Sequence, residues 1–489
     1  MPVASEVAFE TVIGLEVHAQ LLTRSKMYCG CSADYASAPP NTHVCAVCGG
    51  FPGALPVINR AAIEMCLLTG LALDCQIPPY SKLDRKNYVY PDLPKGYQIS
   101  QYDLPLCVGG TLAFESGGEI RQAGITRVHI EEDTGRLLHR TAEDGVEVSL
   151  VDLNRSGVPL MEIVGDPDLR SPEEARDYLI ALRQILRYIG ASTGNMEEGA
   201  FRCDANISTR AVDGSVVGAK VEIKNMNSFR SVERALRYEE QRQRDVLARG
   251  GRVPQETRGW VEARGVTVSQ RTKEQAHDYR YFPEPDLPPL SIESEVILSV
   301  RAELPEMPIA RRDRLVAAYE LGAAEASLLT VERRVADYFE EVVGPKGGSE
   351  DGRAVANWML NDLFGLQRER GLPADELPLT AEQLRDLVAA VRAGELTMRA
   401  AKELLPQIAE GESPRAAAAR LDLLSLEDDT ALRAAVDETL AAFPAAVADY
   451  RGGKKAAIGR LIGETIKRTG GRANPDAVRR LLERALQGE

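Results

Sequence analysis

The feature that most constrains this chain is a change of texture near residue 300. Up to about residue 298, short alternating or apolar runs dominate, at 11–18, 126–132, 157–164, 202–208 and 220–224. Side chains on a strand alternate between its faces, so these runs predict half-buried strands. One helix is signalled among them. Ser171 caps it, Pro172 takes the first position and Glu174 completes a capping box. Tyr178, Leu182, Ile185 and Ile189 follow at helical spacing, and Gly190 ends it. Pro283, Pro285, Pro288 and Pro289 then stiffen the chain. Beyond them the sequence is rich in Ala, Leu, Glu and Arg. Thr380 with Gln383, Ser413-Pro414 and Asn474-Pro475 each open a helix, and 347–352 is a loop. A chain of 489 residues is too long for one core. The pattern predicts an α+β protein. A large strand-rich domain (1–298, mixed or antiparallel sheet with helices) precedes an all-α helical domain (299–412) and a small all-α tail (413–489).

The apolar fraction of 44% excludes a disordered chain. No apolar run approaches the roughly 20 residues of a membrane helix, and no secretory signal is visible. A cytoplasmic protein without a membrane partner is expected. The net charge of −14 argues against nucleic acid, but it is unevenly spread: residues 451–489 carry +6. There Ile458, Leu461, Ile462 and Ile466 form one apolar stripe, and Val478, Leu481 and Leu482 another. Two helices with basic outer faces could hold phosphates. A merely solvated surface fits the charge equally well.

Cys29-x-Cys31 and Cys45-x-x-Cys48, separated by 13 residues, have the spacing of a four-thiolate zinc knuckle. Four thiolates close a tetrahedral site, so the expected role is structural, and His43 is a poorer ligand. Cys66, Cys75, Cys107 and Cys203 are scattered and read as buried small hydrophobes.

Strand parity organises the remaining chemistry. Glu16 and His18 share one face, opposite Ile13, Leu15 and Val17. Arg202, Asp204 and Asn206 share a face, as do Lys220, Glu222 and Lys224. Glu132 has the parity of Val128 and Ile130, at the end of a buried face. Together these strands suggest a sheet lining a cleft, with carboxylates and an imidazole suited to Mg²⁺ and lysines suited to phosphate. Tyr80, Tyr88, Tyr90, Tyr97 and Tyr102 cluster around the basic stretch Arg85-Lys86 and offer stacking faces for bases. A packed core would use them equally well. There is no P-loop, dinucleotide-binding glycine motif, nucleophile elbow or HExxH helix.

The chain resembles the B-type component family of aspartyl/glutamyl-tRNA amidotransferases. The motifs carrying the likeness are Glu10-Thr-Val-Ile-Gly-Leu-Glu-Val-His18, Asp84-Arg-Lys-Asn-Tyr-Val-Tyr-Pro-Asp92 and Tyr97-Gln-Ile-Ser-Gln101. His129-Ile-Glu-Glu-Asp133, Val151-Asp-Leu-Asn-Arg155, Met196-Glu-Glu-Gly199 and Arg202-Cys-Asp-Ala-Asn-Ile207 continue it. Glu222-Ile-Lys-Asn225 and Asp278-Tyr-Arg-Tyr-Phe-Pro-Glu-Pro285 complete it in family order. The resemblance implies an ATP-dependent ligase that converts Glu-tRNA(Gln) or Asp-tRNA(Asn) to the amidated form. It implies a glutaminase partner (the A subunit) that supplies ammonia from glutamine, a small C subunit, and a helical tail on tRNA. It implies Mg²⁺ on His18, Glu132 and Glu222, with Glu16 nearby. Lys86, Glu162, Asp204 and Lys224 are candidate ATP or acyl-phosphate contacts. Tyr88, Asn154 and Arg155 join Lys86 and Lys224 as nucleotide contacts, and the four cysteines hold structural Zn²⁺. Two other readings compete. A zinc-containing tRNA-binding scaffold would have no need of the charged cleft, and a lone metal hydrolase would not need the basic tail.

Overall fold

The computed structural model describes residues 8–213, 218–272, 279–408, 411–425 and 429–487. Asp278 of the last motif lies outside them. The chain divides into two compact units, Met1–Met307 and Pro308–Glu489.

The first unit is built on a nine-stranded sheet. In chain order its strands are β1 (Phe9–Gln20), β2 (Cys107–Val108), β3 (Thr111–Ser116), β4 (Glu119–Glu132) and β5 (Pro159–Gly165). β6 (Phe201–Ala211), β7 (Val221–Met226), β8 (Glu256–Val261) and β9 (Val266–Thr272) follow. The order across the sheet is β9-β8-β7-β6-β1-β5-β4-β2, with β3 also on β4. All pairs are antiparallel except β7 with β8.

Parity sets what each face does. Ile13, Leu15 and Val17 on β1, Ile163 on β5 and Val128 and Ile130 on β4 are buried in one core. That face packs helices α1 (Arg60–Ala72), α2 (Pro172–Tyr188) and α3 (Phe229–Ala248). Ser171 caps α2 by accepting from Glu174 N at 3.1 Å. The Glu174 carboxylate reaches past Ser171 to Arg170 N, at 2.7 Å, so the expected reciprocal box is replaced by a longer clasp. Thr11 Oγ1 donates to Glu240 of α3 at 2.6 Å and ties β1 to its cover. Val300 is buried in this core, which carries the first unit to Met307.

A small sheet joins Asp84–Asn87 to Tyr97–Ser100 and to Phe282–Pro283. It meets the end of β4, where Gln98 Nε2 donates to Glu132 O at 2.6 Å. Arg136–Thr141 and Glu147–Asp152 form a separate ribbon.

The second unit is helical and holds two cores. One runs from Leu315 to Ala418, the other from Leu432 to Leu486. Thr380 and Gln383 form the expected reciprocal box. Helix Ser349–Trp358 occupies much of the expected loop, because Asp351 accepts from Gly348 N at 3.0 Å and starts the helix there. Leu461 and Leu482 face the second core, while Arg460, Lys467, Arg479 and Arg480 are exposed. No described helix is long and apolar enough to cross a membrane.

Candidate functional site

The sheet face opposite the helices carries a ladder of charges, aligned by antiparallel register. On β1, His18 lies opposite Glu162 of β5 and Arg202 of β6, and Glu16 lies opposite Asp204. Glu162 lies opposite His129 of β4, and Asn206 opposite Glu222 of β7. Five strands thus bring His129, Glu131, Glu162, Glu16, His18, Asp204, Glu222 and Lys224 to one surface.

His18 is the hub. Its Nε2 lies 3.4 Å from Glu162, 3.6 Å from Glu16 and 3.7 Å from Glu131. Glu162 also faces His129 Nε2 at 3.5 Å. Burial alone would lower the His18 pKa, but Glu162, Glu131 and Glu16 carry it to about 9. Burial and repulsion from Glu162 push Glu16 up to about 7. Burial would raise Glu162, yet His129, His18 and Lys86 hold it well below the carboxylate range. His129 is lowered chiefly by burial, and its Nδ1 has no hydrogen-bond partner among the described residues.

Ligand atoms of Glu16, His18 and Glu162 converge within 4.8 Å, as do those of His129, Glu131 and Glu162. Carboxylate oxygens in such number suit a hard divalent cation, with Glu162 common to both groups.

Glu132 does not join His18. Its parity turns it to the other face, where it is 2% exposed, pairs with Lys95 and accepts from Ile99 N at 3.0 Å. Its neighbour Glu131 faces the ladder instead and accepts from Ser100 Oγ at 3.3 Å. Glu222 lies on the right face but at the far end. It accepts from Thr257 Oγ1 at 2.8 Å and pairs with Lys224 at 3.1 Å, so it belongs to neither converging group. Lys224 reaches Asp204 at 2.6 Å. Lys86 comes from the small sheet. Burial would lower its pKa, but Glu131, Tyr281 and Glu162 raise it, so it remains a cation over the ladder. Tyr88 stands beside it, with its hydroxyl 3.3 Å from Gln98 Oε1.

Asn154 and Arg155 are occupied elsewhere. Asn154 is fully buried; it accepts from His43 N at 2.8 Å and donates to Pro39 O at 2.7 Å. It fastens the cysteine loop rather than facing the cleft. Arg155 donates to Thr134 O and Gly135 O at 2.9 and 2.7 Å. It lines a separate cavity of about 630 Å³ with Gln20, Tyr35 and Glu197. A second cavity, of about 260 Å³, opens at the Glu16 end of the ladder and includes Gly14, Asn206, Ser208 and Lys220.

The sulfurs of Cys29, Cys31, Cys45 and Cys48 lie within 4.8 Å of one another, and Cys45 and Cys48 are 3.9 Å apart. A tetrahedral ion with bonds of about 2.3 Å sets sulfurs about 3.8 Å apart, so the cluster fits one. A hydrogen bond from the Cys29 thiol, against burial, draws Cys48 down to about 4, helped by Cys45 N and Lys26. Lys26 is fully buried, with Nζ 3.5 Å from Cys48 Sγ. No periodicity marks that lysine, and sequence reasoning missed it. Glu131 and His129 were missed too, although the parity of β4 identifies both. The other four cysteines are buried free thiols, as expected.

The GatB/GatE catalytic domain family matches residues 11–298, and the GatB domain family matches residues 337–486. The chain belongs to the GatB family. It is 62% identical over 480 residues to the B subunit of the aspartyl/glutamyl-tRNA(Asn/Gln) amidotransferase of Thermomicrobium roseum, covering 98% of this chain and 99% of that one. The proteins of the same name from Dehalococcoides mccartyi and Moorella thermoacetica are each 51% identical, over 98% of this chain and 99% and 100% of theirs. The GatB ladder thus lies wholly inside the matched catalytic domain.

The ladder predicts a definite pH response for the metal-free protein. His18 titrates near 9 when folded and near 6.5 when unfolded, so its stabilisation is full below pH 6.5 and is lost as pH rises through 9. Thermal melting in chelator is expected to fall over that window. His18→Asn is expected to flatten the fall.

Proposed function

We propose that the charged ladder is where ATP activates the side-chain carboxylate of a misacylated tRNA and where ammonia then displaces phosphate. The observation that carries this reading is the convergence of Glu16, His18, Glu131 and Glu162 on one face, with Lys86 and Lys224 at either side. The protein works within a heterotrimer whose glutaminase component releases ammonia from glutamine. The reaction gives Gln-tRNA(Gln) or Asn-tRNA(Asn), and the enzyme is a glutamine-dependent carbon–nitrogen ligase. A scaffold without catalysis has no use for a buried carboxylate–imidazole–lysine array, so that alternative is disfavoured.

The chemistry explains the residue types. A carboxylate does not expel oxide, so its oxygen must first take the γ-phosphoryl group, with ADP leaving. Ammonia then attacks the acyl carbon, phosphate departs and one proton is lost. Phosphoryl transfer needs positioning and charge neutralisation more than covalent help. Lys86 and Lys224 supply fixed positive charge to the phosphate oxygens. Glu16, His18, Glu131 and Glu162 are the residues that would hold Mg²⁺, which when bound would neutralise phosphate charge. The 260 Å³ cavity at Gly14, Asn206 and Ser208 suits the nucleotide end of ATP. Asp204 holds Lys224 in place.

The four-thiol cluster suits structural zinc by ligand softness and by its closed shell. We read the two cores of the second unit as a helical domain and a tRNA-binding tail; the first core extends through Ala417 and Ala418, past the expected division at 412, and the second begins at Leu432.

With the assembled enzyme, ATP, misacylated tRNA and free ammonia, Glu162→Gln is expected to lower the amidation kcat by about 100-fold or more, while glutamine hydrolysis by the glutaminase component continues. Full amidation by that variant would overturn the site assignment. Truncation after Ser425, which spares the first helical core, is expected to weaken tRNA binding at fixed salt and to flatten its salt dependence. Unchanged affinity would remove the tail from tRNA recognition.

A further inference from the structure

The amidation site accounts for the ladder but leaves the tyrosines beside it without a role. Four of them form a continuous chain of rings. Tyr102 lies flat on Tyr281, with centroids 4.4 Å apart and planes 14° apart. Tyr279 meets Tyr281 edge-on at 6.1 Å, and Tyr88 meets Tyr279 edge-on at 5.9 Å. The inner end reaches the ladder, because Lys86 Nζ stands 5.1 Å from the centre of the Tyr279 ring. Tyr281 lies within electrostatic reach of Lys86, Glu131 and Glu162. The outer end is open, with Tyr102 61% exposed.

The rings are held in place by their backbone. Arg280 has φ +44°, a left-handed conformation that a side chain of this size rarely adopts, and it separates Tyr279 from Tyr281. Asn87 secures that turn. Its N–H donates to Tyr279 O and its Nδ2 to Arg280 O, both at 2.9 Å. Tyr102 is anchored by its own N–H, which donates to the buried Asp84 at 3.1 Å.

We propose that the open face of the Tyr102–Tyr281 stack receives the unpaired terminal base of the aminoacyl-tRNA. The inference rests on the ladder being the amidation site. The amino acid is esterified to the terminal ribose, so a side-chain carboxylate presented to Lys86 and Glu131 brings the attached base to within one nucleotide of those groups. The aromatic surface found there joins the ladder through Lys86 and Tyr281. Single-stranded ends are bound by stacking on aromatic side chains, and stacking tolerates any base because every base has a π-face. Such a contact would position the tRNA end without reading which tRNA carries it, as suits an enzyme acting on either of two tRNAs.

The test compares two ligands on the assembled heterotrimer: deacylated tRNA, and the same tRNA lacking its terminal adenosine. The wild-type enzyme is expected to bind the intact tRNA about tenfold more tightly. Tyr102→Ala is expected to erase that difference and to raise the KM for aminoacyl-tRNA by a similar factor, with the KM for ATP unchanged. Tyr102→Phe keeps the ring and is expected to keep the preference. The proposal is overturned if Tyr102→Ala retains the preference, or if the wild-type enzyme shows none. It is also overturned if the variant raises the KM for ATP, which would make the stack an adenine site for the cosubstrate. Failure of the heterotrimer to assemble with Tyr102→Ala, while Tyr102→Phe assembles, would make the stack an assembly contact and overturn it too. Binding of the two tRNAs is read without catalysis, so this result is separable from the Glu162→Gln test of the ladder.

Discussion

The site depends on the antiparallel register of β1 with its two neighbours. That register sets His18 between Glu162 and Arg202, and Glu16 opposite Asp204. A slip of one residue would turn Glu16 and His18 into the helix-covered core and Leu15 and Val17 out of it. The apolar face is packed against three helices, so the hydrophobic pattern that folds the sheet also fixes the chemistry on its other side. Charges buried in such number are tolerable only when paired. Glu162 meets two imidazoles and Arg127, and Lys224 meets two carboxylates. Pairing lowers Glu162, while burial and repulsion from Glu162 raise Glu16, which separates two chemically similar groups into a fixed anion and a titratable acid.

The four-thiol cluster braces one end of this arrangement. Met27 N donates to Gly157 O at 2.7 Å, and Gly157 N donates to Asp133 O at 2.9 Å. Ser156 Oγ donates to Cys48 O, and Lys26 reaches Leu153 O, both at 3.3 Å. The segment from Leu153 to Gly157 therefore connects the cysteine loop to the end of β4, next to Glu131 and Glu132. The thiol cluster offers no open position for chemistry, and these hydrogen bonds tie it to the residues that present Glu131.

Much of this was legible in the sequence, and particular residues show where legibility ended. The strand pattern located β1, β6 and β7 and the faces of Glu16, His18, Asp204 and Lys224, because alternation depends only on local sequence. Cysteine spacing located the thiol cluster for the same reason. Glu132 was assigned a metal by family likeness although its parity pointed inward, and the structure follows parity. Glu222 shows the complementary difficulty. Its face was readable, but its distance from His18 depends on strand order across the sheet, which no local pattern encodes. Asn154 and Lys26 show a further limit: the motif asparagine, expected at the nucleotide, holds a loop, and an unremarked lysine sits against a cysteine sulfur. Both contacts join residues far apart in the chain, and tertiary packing alone brings them together.

The cation site we propose is made by β1, β4 and β5, with Glu131 rather than Glu132 as the β4 ligand. An anomalous difference map from crystals of the heterotrimer soaked in Mn²⁺ with an ATP analogue tests it most directly. A peak bounded by Glu16, His18, Glu131 and Glu162 is expected. A peak coordinated by Glu132, or no peak at the ladder while one is found elsewhere in the first unit, would contradict it.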